Sequence, residues 1–261
     1  MVSIQDTVKL ICSESQQLRR YLDGLSQGAL NRPSACDRWE IGDVIAHLVW
    51  LAEFCLDVIS RGVQSDTSPP ERFLPAGSAS QEWINEHFYQ SAIARRASLG
   101  VQLVPMFGAR YEQLYYLMAG LSPQDWAKPC YHERGNRPAR RFTTTVVNEL
   151  VIHGWDIRSE LEPSAHLSAE VLPVLIERIQ QRFRNPRSAA FLLGSKLPAH
   201  LRYRLEMTGA VPGKEDIVVE DGKCWIELAA EATTDATIRC DTETFVLLMN
   251  RRLLLDSLIG Q

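Results

Sequence analysis

The chain has 261 residues, of which 45% are hydrophobic and 23% charged, enough apolar material for more than one typical core. The net charge is -4, and Lys and Arg are dispersed apart from short clusters at 137–141 and 178–187, which excludes a basic stripe interleaved with aromatics of the kind nucleic acid requires. The most apolar run, 44–59, is interrupted by His47, Glu53 and Asp57 and predicts no membrane span. The six cysteines contain no CxxC pair, and the first ten residues lack a signal-peptide layout, so the expected setting is a reducing cytoplasm.

Residues 3–25 read as an amphipathic helix that buries Ile4, Val8, Ile11, Leu18 and Leu22. A turn at 28–33 follows. Asp37, with Glu40 three residues later, resembles a capping box that opens a second helix near Arg38. Its inward stripe is Val44, His47, Leu48, Leu51, Cys55 and Val58, and His47 is the stripe's strongly polar member. Pro69, Pro70 and Pro75 make 62–79 a loop. A long helical region from 81 to 119, broken or kinked near Gly100 or Pro105, would turn Phe88, Phe107, Tyr111 and Tyr115 toward a bundle interior. The polar segment 122–140 is a second loop, able to lie over a pocket.

The segment 142–160 places charge where a helix would normally bury hydrocarbon. Val146, Leu150, His153 and Ile157 share one stripe with Glu149 beside it, and Glu149 and His153 are one turn apart. A buried carboxylate costs several kcal/mol unless it is paired or ligating. After Pro163 the texture changes. A helix over 169–183 despite Pro173, strands near 201–207, 216–220, 224–229 and 236–240, a hairpin at Asp221–Gly222 and a helix over 242–255 read as a small α+β domain. The expected division is 1–163 as a helical bundle and 164–261 as the α+β domain.

His47, Glu149 and His153 form a His, Glu, His set, the donor types of a zinc site with one position left open. The alternative is an ordinary Glu and His ion pair or hydrogen bond. Asp156 would orient a ligand imidazole, carry a proton, or sit as a helix-surface carboxylate. Trp39, Trp50 and Trp155 are expected as packing anchors, His132 as a residue able to reach the pocket mouth, and His166 and His200 as loop residues.

The motifs WEIGDVIAHLVW (39–50) and NELVIHGWDI (148–157) closely resemble the two signature helices of the mycothiol-dependent maleylpyruvate isomerase-like branch of the DinB-like four-helix bundles. The resemblance implies that His47, Glu149 and His153 bind a divalent metal, usually zinc, and that the second part is a sterol-carrier-like α+β domain. The closing segment LLMNRRLL resembles the family's apolar helix ending in Gly-Arg. Arg251 then stands at a functional arginine's position as a grip for a substrate or thiol carboxylate, with Asn250 where the pattern has Gly. The implied chemistry is that of a transferase or isomerase: a metal-bound low-molecular-weight thiolate attacks a small, acidic electrophile. A metal-binding bundle without turnover, or a zinc hydrolase using bound water, are the other readings. The thiol, the substrate and the oligomeric state are left open.

Overall fold

The computed structural model describes residues 2–183, 200–221 and 223–253. The chain divides into two compact units, Val2–Ala165 and a second from His166 onward.

In the first unit α1 (Ile4–Asp23) starts where the Ser3 side chain accepts the Asp6 N–H, and it buries Val8, Ile11, Leu18 and Leu22 as its periodicity requires. α2 (Ile41–Val63) begins three residues later than the sequence suggests. Glu40 is its N-cap and Asp43 reciprocates in the capping box, whereas Asp37 lies in a preceding turn closed by Ser34 N–H to Trp39 O and Trp39 N–H to Cys36 O, both 3.1 Å. A bridge between Pro33 and Glu40 holds that turn against the helix start.

The region 81–119 is two helices, α3 (Gln81–Leu99) and α4 (Leu103–Ala119). The break falls at Gly100, whose φ of +48° leaves the helical region. Pro105 lies in the first turn of α4, where a missing N–H costs no intrahelical bond. α5 (Arg140–Arg158) carries the Glu149 and His153 stripe. The pairings α1 with α4 and α5, and α2 with α4 and α5, close a ring of four helices, while α3 lies outside against α2. The segment 122–140 is more ordered than a plain loop, because β1 (Pro129–Cys130) and β2 (Arg137–Pro138) pair antiparallel. This ribbon rests on α2 at Gly62, where an added Cβ would lie 2.4 Å from Cys130 Sγ.

The second unit holds α6 (Leu172–Phe183), β3 (His200–Thr208), β4 (Gly213–Glu220), β5 (Lys223–Leu228), β6 (Ala236–Asp241) and α7 (Thr242–Met249). Pro173 occupies the first turn of α6, which explains its tolerance there. His200 opens β3 and is not a loop residue. The strand order is β5-β4-β3-β6, with β3 and β6 parallel and the other pairs antiparallel. One face buries Leu205, Met207, Ile217 and Val219, and the register puts Arg202, Arg204, Asp216 and Glu227 on the other. Asp221, at φ +50°, makes the tight β4–β5 turn that its sequence signals. The expected helix over 242–255 is observed to Met249, and its residues from 254 lie outside the described residues.

Candidate metal centre

Two helices supply the donors. His47 projects from the second turn of α2, and Glu149 and His153 project one turn apart from α5. Glu149 Oε2 lies 3.6 Å from His47 Nε2 and 3.3 Å from His153 Nε2, and one donor atom from each of the three lies within 4.8 Å of the others. The two imidazoles meet edge to face, with centroids 4.9 Å apart at 76°. Tetrahedral zinc with bonds of about 2.0–2.1 Å spaces its donors by about 3.3 Å, so these separations suit a shared cation. They exceed the about 2.7–2.9 Å of a charge-assisted hydrogen bond. The residues present therefore fit a zinc-type ion.

The environment is dry on the histidine side. The His47 and His153 side chains are 5% and 8% exposed and that of Glu149 is 27%, so an incoming group reaches the cluster past the carboxylate. Trp39 lies 5.0 Å from the His47 ring, with Trp50 and Phe88 at 5.9 and 6.2 Å. Trp39 and Trp50 thus anchor packing around the imidazole itself.

Burial alone would raise the Glu149 carboxyl, but the His153 and then the His47 imidazoles against it hold it well below the usual carboxylate range. Burial would likewise lower His153, yet Asp156, Cys36 and Glu149 together keep its imidazole charged well above the usual range in the metal-free chain. For His47 burial wins, and its pKa falls.

Asp156 is fully buried, with Oδ2 2.8 Å from His153 Nδ1, and is not a surface carboxylate. It accepts the Nδ1 proton and leaves Nε2 facing Glu149. The His47 Nδ1 atom is buried without a hydrogen-bond partner. Arg251 belongs to the other unit, where it follows α7 as an exposed residue with φ +59°. His132 lies 6.0 Å from Phe142 and 3.3 Å from Glu133, within the ribbon segment.

Two neighbours went unread in the sequence. The Cys36 thiol stands with His153 and Asp156 in a second group of close donor atoms. Glu133 is 6% exposed, and its carboxyl is pushed up chiefly by burial, with Arg134 and Arg137 opposing. Both sit in irregular segments where no periodicity marks an inward residue. A cleft of about 560 Å³ between α1 and α4, lined in part by Cys12, Arg19 and Tyr116, contains none of the donors.

Among the described residues no helix is long and apolar enough to cross a membrane, and none of the six cysteines is in a disulfide. No curated protein matches the chain. Two solved structures do, at the level of fold: that of the mycothiol-dependent maleylpyruvate isomerase, with a TM-score of 0.64 and 14% identity over 97% of this chain and 90% of that one, and that of a histidine-to-alanine mutant of the isomerase, with a TM-score of 0.63 and 13% identity over the same shares. The model of the mycothiol maleylpyruvate isomerase N-terminal domain matches residues 12–158, more than half of the chain. The chain belongs to that family.

Proposed function

We propose that the chain is a zinc-dependent enzyme in which His47, Glu149 and His153 hold the metal and a low-molecular-weight thiol attacks a small electrophile, giving an isomerase or an S-transferase. The observation that carries this reading is the spacing of one carboxylate oxygen at 3.3 and 3.6 Å from two buried imidazole nitrogens. When bound, zinc supplies a Lewis acid that lowers the pKa of a coordinated thiol so that a thiolate exists near neutral pH. Asp156 fixes the tautomer of His153 through Nδ1 and keeps Nε2 available. Trp39 and Trp50 exclude water around His47, and the partly exposed Glu149 marks the side from which thiol and substrate enter. Membership of a family named for a mycothiol enzyme supports a thiol cosubstrate, and Arg251 is retained as a proposed carboxylate grip.

Metal analysis of the purified chain, alone and as Glu149→Gln, tests the ligand set. The wild-type chain should retain about one zinc and the variant should lose most of it. Unchanged retention removes Glu149 from the set. A cobalt-substituted chain should develop a thiolate charge-transfer band on adding thiol. No band would leave metal binding without turnover, or bound-water hydrolysis.

A further inference from the structure

The His47 imidazole begins a strip of aromatic rings. Its ring is nearly parallel to Trp50, with centroids 5.9 Å apart at 22°. Trp50 in turn is nearly parallel to Phe54 at 5.6 Å and 14°, and to Phe73 at 6.2 Å and 13°. The strip then turns onto α3: Phe73, in the loop before it, meets the His87 ring edge-on at 4.6 Å and 69°, His87 lies on Trp83 at 4.5 Å and 11°, and Phe88 packs 4.8 Å from Trp50 at 51°.

These rings are not core. The bundle's interior aromatics Phe107, Tyr111 and Phe142 are 0%, 1% and 3% exposed, whereas Trp50, Phe54, Phe73, Trp83, His87 and Phe88 all stay partly exposed. α3 buries only Ile84 and Ala92 among its residues, so its aromatics are turned onto the strip without being sealed by it. A contiguous, partly wet aromatic surface that runs into a cluster of convergent polar donors has the composition of a small-molecule subsite. Because the partly exposed Trp50, Phe54 and Phe73 rings are close to parallel, a flat group lying on one meets its neighbour in parallel as well, and Trp50 leads on to the enclosed His47 imidazole 5.9 Å away. The rings themselves carry no guanidinium or ammonium group, and burial lowers the pKa of His87, so an aliphatic dicarboxylate finds little charge to pair with on them.

We infer that the aromatic strip running from Trp50, beside His47, to Trp83 binds the aryl body of the substrate, so that the electrophile is a planar aromatic compound whose reactive end is delivered to the metal centre. The reactive end rests on the function proposed above; occupancy of the strip does not. Isothermal titration of the metal-stripped full chain with 1-naphthoate and with succinate therefore tests the strip alone. Naphthoate should bind, with a negative heat-capacity change, at least about tenfold more tightly than succinate. Phe73→Leu and Trp83→Leu should each weaken naphthoate about tenfold without changing zinc retention, while Phe73→Tyr, which keeps the ring, should restore it. Equal binding of the two acids, or naphthoate affinity indifferent to both Leu variants, means that the rings only pack α3 onto α2 and overturns the inference. Metal loss in Glu149→Gln with no naphthoate binding would sink the strip and leave the metal centre standing, and naphthoate binding without metal retention would do the reverse.

Discussion

Replacing Asp156 by Asn removes a charge from behind the proposed metal centre with almost no change of shape. The carboxylate is fully buried and makes a short contact to His153 Nδ1 at 2.8 Å. Loss of such support behind a ligand histidine costs about 10–100-fold in metal affinity, or about 1.4–2.8 kcal/mol. A second effect opposes the first. In the metal-free chain burial disfavours the charged imidazole, but Asp156, Cys36 and Glu149 outweigh it and keep His153 protonated well above its usual range. A metal must displace that proton, and Asn in place of Asp156 weakens the proton's hold. Near neutral pH the two effects partly cancel, while in alkali the competing proton is gone from both proteins and the whole loss of ligand support is seen. The expected outcome is a zinc affinity deficit that grows as pH rises and the competing proton is lost, up to about a hundredfold. Competition against a chromophoric chelator measures it, with circular dichroism to check that the helices persist. Equal affinities at the higher pH, or a deficit that shrinks as pH rises, would refute the reasoning.

Other features carry their own expected outcomes. Gly62→Ala would set a Cβ 2.4 Å from Cys130 Sγ and 2.8 Å from the backbone Pro129 O, so the ribbon must move off α2. The expected loss is about 1–3 kcal/mol in chemical denaturation, and an unchanged midpoint contradicts the close approach. Arg96 on α3 donates to Glu40 at 2.8 Å and the buried Asp43 at 3.0 Å at the start of α2, and to Leu30 O and Asn31 Oδ1 in the turn at 27–31 that precedes it. Arg96→Met should cost about 1–3 kcal/mol by leaving the buried Asp43 Oδ1 without its guanidinium, and Asp43→Asn should then cost less in that background than alone; strict additivity would dissolve the coupling. In the second unit the Arg204 guanidinium, aided by Arg202 against burial, holds the Asp216 carboxyl at about 2, below its ordinary 3.8. A depressed carboxyl stabilises the fold above its unfolded pKa, and that contribution is lost as pH falls from about 4 through about 2. Asp216→Asn should flatten the acid unfolding profile in that window, and an identical profile counts against the pair.

Fold class was legible because the helical stripes and the β-rich stretches each keep one period. The start of α2 was misread for a local reason. Asp37 and Glu40 have the same spacing as Glu40 and Asp43, and the choice between them is made by the bridge from Pro33 to Glu40 and by the turn at 34–39. The break at Gly100 rather than Pro105 turns on position, since a proline in a first turn is harmless and a glycine at positive φ is not. For the site, His47 announced itself as the one strongly polar residue of an apolar stripe, and Glu149 with His153 as two polar groups one turn apart. That residues about a hundred positions apart meet is a property of the helix ring. Cys36 and Glu133 escaped notice because irregular backbone gives an inward side chain no sequence signature, and the aromatic strip because its rings come from three segments that only the packing of α3 on α2 brings together.

The competing account of His47, Glu149 and His153 is that they satisfy one another by hydrogen bonding. Buried charge is costly enough that such a trio should then close to the short distances charge-assisted bonds adopt. The close contact is instead the outer one, Asp156 to His153 at 2.8 Å, while the inner separations stand at 3.3 and 3.6 Å. His47 is the more telling member. Its Nδ1 has no partner at all, so a loose contact through Nε2 to Glu149 leaves the ring nearly unsatisfied in a region of 4% exposure. A cation at Nε2 would compensate that burial directly. A hydrogen-bonded trio would draw the carboxylate closer to rings this well enclosed, and the zinc content of Glu149→Gln separates it from a shared cation.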